Sequence, residues 1–373
     1  MIVARFGALV FCALLCLALA GCAGRLSDKI VVIPDTEEAG ESADSGHNGL
    51  EVGKIYKLPE QDITGSDIAG WIDNRRVIGL IGGSAGRHLT AIDYQTGTRE
   101  AWQDTATERI ELGAVSPDGK YIALTRYNGE KETYSLLSTV SDRQEAVMSE
   151  SDAGAAAART SPLAWSNNSR YVAYAKEKSR FGEAALVVYD RQTAAVNSWA
   201  LPGWQVVYAK AADDGASAVI VRMEGGQPYA AYGTLSEGAF ELRYEHNLNH
   251  ADGVDFISDD QIVLSGANGA LITYDKRNSS TAVLLEQVGI FKLSNDSKYI
   301  VYSKESESLY AAKLQGNNVL NEQSIYKGIV PTRLDWSPDN KKILLNGRKW
   351  FEARPAPALQ VVPAKTPLII EFK

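Results

Sequence analysis

Past residue 22 this sequence has no cysteine, because its three lie at Cys12, Cys16 and Cys22. Everything downstream therefore lacks a disulfide framework, a thiol nucleophile and cysteine metal ligands. Histidine is almost as scarce, with His47, His88, His246 and His250 supplying every imidazole, so acid–base chemistry near neutral pH has few side chains to draw on. Cationic residues are in the minority, 38 against 46 acidic ones, for a formal charge of −8. Such a balance disfavours phosphate backbones and anionic lipid headgroups, and no nucleic-acid partner is expected. Neither His-Glu-x-x-His, a phosphate-cradling loop nor a Cys-His pair occurs, which weakens metalloprotease and nucleotide-using readings.

Long hydrophobic runs are missing too. The uncharged stretch at residues 6–20 is too short to span a bilayer comfortably and, following Arg5, has the shape of a secretory signal segment. It ends in Leu19-Ala20-Gly21-Cys22, which resembles the bacterial lipobox. The resemblance implies removal of residues 1–21, a diacylglyceryl thioether on Cys22, and export to the outer face of the cell membrane or the periplasmic side of a two-membrane envelope. An ordinary signal peptide with a chance cysteine, or an uncleaved anchor, remains open on the same residues. Acyl chains contribute about 0.8 kcal/mol per buried methylene, so attachment would rest on lipid and not on charge. Residues 22–52 are poor in aromatics and carry Asp35, Glu37, Glu38, Glu41 and Asp44, as expected of an acidic flexible tether. Ile30-Val31-Val32-Ile33 could form a short strand before Pro34 stops it.

What the chain has in quantity is a repeated hairpin. Taking the first residue of each copy as anchor, the copies start at Ile72, Ser116, Ser166, Ala212, Ile257, Ser294 and Ser337, at intervals of 37 to 50 residues. Immediately before them stand Trp71, Val115, Trp165, Ala211, Phe256, Leu293 and Trp336. Six positions after them stand Ile78, Ile122, Val172, Ala218, Val263, Ile300 and Ile343. Every one of these positions is apolar. Pro117 and Pro338 preset φ, Asp118 and Asp339 bond local backbone, and Gly119 and Asn340 accept the left-handed conformation that closes the turn. Strands such as Tyr121-Ile122-Ala123-Leu124 are apolar on both faces, so both faces must be covered.

A second hairpin fills most intervals, for example Thr90 to Tyr94 turning into Arg99 to Trp102, Leu186 to Asp190 turning towards Trp199, and Leu271 to Leu285 around Asp275. Two hairpins per period give four strands. A period of about 44 residues then predicts an all-β fold, a seven-bladed β-propeller of four-stranded antiparallel blades over residues 53–373. Lys54 to Leu58 or Pro367 to Phe372 could complete the last blade, and both could pair there. The stretch Ser116 to Ala123, Ser-Pro-Asp-Gly-Lys-Tyr-Ile-Ala, resembles the WD-like repeat of TolB-type propellers, which implies the same fold. The second hairpin, with Asp93, Thr96, Gly97 and Trp102, is also similar to the repeat of quinone-enzyme-type propellers.

The candidate chemistry is thin. His246 and His250, with Asp252 and Asp255 after them, have some metal-ligand flavour, but in a strand the two imidazoles lie about two pleats apart, and a polar inter-blade connection is the preferred reading. The recurrent Asp73, Asp118, Asp259, Asp260, Asp296 and Asp339 read as turn formers. Trp71, Trp165 and Trp336 read as core; Trp199, Trp204 and Trp350 lie near strand ends or connections, where an aromatic could line a sugar or peptide site, but core or rim packing is the preferred reading. The segment from Ser151 to Ser161, with its alanine run, reads as a surface insertion. No catalytic, cofactor or metal residue is assigned. The expected role is a monomeric, membrane-anchored binding or scaffold module for an envelope protein, peptide or glycan. The rival is a propeller lyase or hydrolase acting on polysaccharide, with catalytic groups converging at the channel mouth.

Overall fold

The computed structural model describes residues 31–32, 49–58, 68–83, 86–104, 109–128, 131–140, 145–152, 161–177, 183–251, 253–348 and 367–373. The signal segment, Cys22, His47, Asp252, Trp350 and most of the alanine-rich insertion lie outside them.

Each predicted hairpin pair becomes one antiparallel four-stranded sheet. Blades 1 to 6 run through residues 68–104, 109–152, 164–202, 205–247, 254–285 and 291–327, each a plain up-and-down meander. Blade 7 is assembled from both ends of the folded region. Its order from the channel outward is Val330–Trp336, Lys342–Arg348, Leu368–Phe372 and Val52–Lys57. Both candidate closing segments therefore pair, with Ile370 opposite Ile343 on one side and Ile55 on the other. The short strand Val31–Val32 adds a fifth member beside Val52–Lys57. The first strands of blades 7 and 1 touch, which closes the ring.

The core explains the doubly apolar strands. Buried side chains form a separate hydrophobic cluster at every junction between neighbouring blades. At the blade 1 to 2 junction, Ile78, Leu80 and Leu89 pack on Ile122, Leu124 and Leu137. At the junction that closes the ring, Leu58, Leu344 and Ile369 pack on Trp71, Val77 and Ile92. A sheet sandwiched between two others loses its polar face, so its second strand is apolar throughout.

The turns join the blades to each other. Ser116 donates to Asp118 at 2.6 Å and accepts the Tyr121 N–H at 3.0 Å, and Ser337 with Asp339 and Lys342 repeats this geometry. Gly119 and Asn340 take φ of 73° and 56° as the turn requires. The Asp118 N–H is then donated to Ser169 of blade 3, Asn168 N–H to Asp213 of blade 4, Asp214 N–H to Asp259 of blade 5, and Asp339 N–H to Asn74 of blade 1. Asp118 and Asp339 thus form their own turns through the carboxylate and donate a backbone N–H to the neighbouring blade, while Asp259 accepts one across the blade 4 to 5 junction.

Three of the core tryptophans act the same way. Trp71, Trp165 and Trp336 are buried, and each indole N–H is donated to a backbone carbonyl of the preceding blade, at Asp335, Ala114 and Lys292 respectively. Those acceptors all lie two residues before their own hairpin anchor.

Candidate functional site in the central channel

The strand period of two turns the residue just before each anchor into the inter-blade core, where the tryptophans lie, and the residue before that into the channel. Read around the ring, this channel position is Gly70, Ala114 and Ala164 in blades 1 to 3, then Lys210, Asp255, Lys292 and Asp335 in blades 4 to 7. One half of the channel wall is made of minimal side chains. The other half alternates cation and carboxylate. Two positions further back on the same strand face, Tyr208 and Arg333 extend the charged half.

The charges are close and largely withdrawn from water. The Lys210 ammonium pairs with Asp255 and donates to Asn167 Oδ1 at 2.6 Å, with side-chain exposures of only 4% for Lys210 and 7% for Asp255. Lys292 donates to the other Asp255 oxygen at 3.1 Å, and the Phe256 N–H to Oδ1 at 2.8 Å. Burial acts to raise the Asp255 pKa, but the Lys210 and Lys292 charges outweigh it and hold the carboxyl far below the usual range. Burial lowers the Lys210 pKa against the pull of Asp255. The Asp255 charge raises that of Lys292, whose side chain is 37% exposed to the channel.

In blade 7, Arg333 donates to the Ala69 carbonyl of blade 1 and lies with Nε 2.7 Å from Asp335 Oδ2. That N–H is not aimed at the oxygen, so Oδ2 is buried without a donor directed at it. The waist of the channel is formed by Tyr208, Lys292, Arg333 and Asp335, which line two adjoining cavities of about 190 and 280 Å³. At the hairpin-turn end the ring is drawn together, with Asn167 of blade 3 donating across it to the Phe256 carbonyl of blade 5 at 2.9 Å.

Other sequence candidates lie apart from this site. His246 is the penultimate residue of the strand Ala239–Asn247 and bonds Tyr244 at 3.1 Å through Nδ1, while His250 is exposed in the following turn. Asp255, grouped with them by sequence proximity, is the carboxylate at the centre of the channel. Among the described residues, no three His, Cys, Asp or Glu side chains gather as metal ligands. Trp199 is buried and donates to the Ser236 carbonyl, and Trp204 stands edge-on to Phe240 under Arg222. Both tryptophans pack; neither lines the channel. The run Gly82-Gly83-Ser84-Ala85-Gly86 has the spelling of a nucleophile elbow, but it joins two paired strands of one hairpin. The elbow needs a strand that leads into a helix, whereas Gly83 pairs with Gly86 across one hairpin; Ser84 and Ala85 lie outside the described residues.

No family model and no curated protein matches the sequence. Solved structures do resemble it in fold. An oligogalacturonate lyase in complex with manganese is 10% identical at a TM-score of 0.60, covering 87% of this chain and 96% of that one. The structure of U3-55K is 13% identical at 0.55, covering 87% and 100%. TolB from Acinetobacter baumannii is 13% identical at 0.43, covering 76% of each chain. The chain is a seven-bladed β-propeller. Likeness at this level of identity speaks to fold alone, and the fold hosts unrelated activities.

Proposed function

We propose that this protein is an exported lipoprotein, anchored through acyl chains on Cys22, whose propeller is a non-catalytic binding module for a protein, peptide or glycan of the cell envelope. The pairing within the channel carries the non-catalytic part. A general base needs a pKa near the working pH and a lone pair within reach of its proton. Asp255 instead spends its oxygens on two lysines and a backbone N–H, and its pKa lies far below that range. The anchor rests on the lipobox-like end of the signal segment. Labelling with a fatty acid should mark the wild-type chain and leave Cys22→Ala unlabelled; equal labelling of both would remove the anchor from the account.

One observation favours the enzyme reading. Tyr208, Lys292, Arg333 and two carboxylates converge on one stretch of channel, the kind of cluster a polysaccharide lyase or hydrolase would use. Incubation of the purified chain with envelope polysaccharide separates the two, because only the enzyme releases shorter or unsaturated products.

A further inference from the structure

We propose that the channel waist binds a small ligand bearing a single carboxylate, held by the Lys292 ammonium and the Arg333 guanidinium. Lys292 spends one of its three N–H bonds, on Asp255, and keeps the others at the cavity wall. Arg333 uses Nη2 on the Ala69 carbonyl and, at 3.4 Å, on Asp335, while its Nη1 has no protein partner among the described residues. An ammonium beside an unspent guanidinium nitrogen gives two cationic donors for the oxygens of a carboxylate.

Charge and size narrow the class further. Among the residues lining the two cavities, Lys210, Lys292 and Arg333 stand against Asp255 and Asp335, an excess of one positive charge inside a protein whose formal charge is −8. A monoanion neutralises that excess; a phosphate dianion overshoots it. Cavities of about 190 and 280 Å³ fall below the ~300–1,000 Å³ of sites for drug-sized ligands, so they take a small molecule or one terminal group. Across from the cations, Gly70, Ala114 and Ala164 leave space and a nonpolar wall for the uncharged body of the ligand.

This assignment rests on the binding-module reading but not on the anchor, and the two can fail separately. Calorimetric titration of the full chain in detergent with two acids and their neutral counterparts tests it: N-acetyl-L-alanine against its amide, and D-glucuronate against D-glucose. At least one acid should bind at one per chain while its neutral counterpart does not. Which acid binds tells a peptide-like carboxylate from a sugar acid. Lys292→Gln should weaken that binding roughly tenfold or more, the effect of losing a hydrogen bond to a charged group. Absence of binding by both acids, or equal binding of acid and neutral compound, overturns the proposal. The wild-type comparison decides this even where the variant does not fold. A module that still retains an envelope partner in that event keeps its binding role and loses only the carboxylate site.

Discussion

Replacing Asp255 by Asn should be the most damaging single change in the channel. It leaves the Lys210 ammonium, 4% exposed, with only the Asn167 amide oxygen as an assured acceptor, and with Lys292 still nearby. Breaking a buried pair from one side costs about 3–5 kcal/mol, because the surviving charge is neither solvated nor matched. With an unfolding entropy of ~2.1 cal/mol/K per residue over roughly 320 residues, that corresponds to a fall in Tm of about 4–7 °C by differential scanning calorimetry. Lys210→Met should cost less, since Asp255 retains Lys292 at 3.1 Å and the Phe256 N–H. In the double variant, part of the Asp255→Asn loss should return as a coupling energy. The pH dependence has a definite sign. Without Asp255, the folded pKa of Lys210 falls further below its unfolded value, so the cost is full below the folded pKa and fades as pH rises through it. The Tm gap between wild type and Asp255→Asn should therefore narrow from pH 7 to pH 9.5. A loss below 1 °C, or a gap that widens with pH, would refute the reading of Lys210 as a buried cation matched by Asp255.

Other outcomes follow from the same geometry. Gly119→Asn should destabilise by about 1–3 kcal/mol in urea unfolding even though asparagine accepts the φ, because a Cβ there would lie 2.9 Å from the Ile72 carbonyl. Trp165→Phe removes the indole donor to Ala114 and should cost about 1–3 kcal/mol, while Trp204→Phe should lie within about 1 kcal/mol of wild type. Acid titration followed by calorimetry should show stability falling once pH drops below about 4, the unfolded carboxyl value. Asp255 and Asp190, the latter held at about 2 chiefly by the Arg170 fork, have lowered folded pKa values; their stabilisation is present above pH 4 and is lost as pH falls. Deleting residues 368–373 takes the third strand out of blade 7 and parts Lys342–Arg348 from Val52–Lys57, so size-exclusion chromatography should show aggregated rather than monomeric protein.

The blades were legible in the sequence because every one repeats the same local problem: a tight turn, a doubly buried strand and an outer hairpin. Even Ala212 and Ile257, where the turn letters are weak, keep the apolar residue before the anchor. Ring closure stayed open because Ile55 and Ile370 have the same character, and only pairing distinguishes a fourth strand from a third. The channel was harder to read. Its residues come one per blade, some 44 residues apart, and reading along the chain placed Asp255 with His246 and His250, next to it in sequence. The signal lay in the register: aligned on the anchors, the position two residues earlier runs Gly, Ala, Ala, Lys, Asp, Lys, Asp. The indole bonds of Trp71, Trp165 and Trp336 to that position's carbonyls depend on how neighbouring blades sit, which periodicity does not carry.

The central claim is binding without turnover at the channel, and one measurement addresses it directly. The full chain, purified in detergent from the cells that make it, is analysed by native mass spectrometry beside Lys292→Gln, and any retained ligand is released and its mass determined. The account predicts a bound species near one per chain, released chemically intact and depleted in the variant. A cleaved or unsaturated product, or equal retention by both proteins, would contradict it.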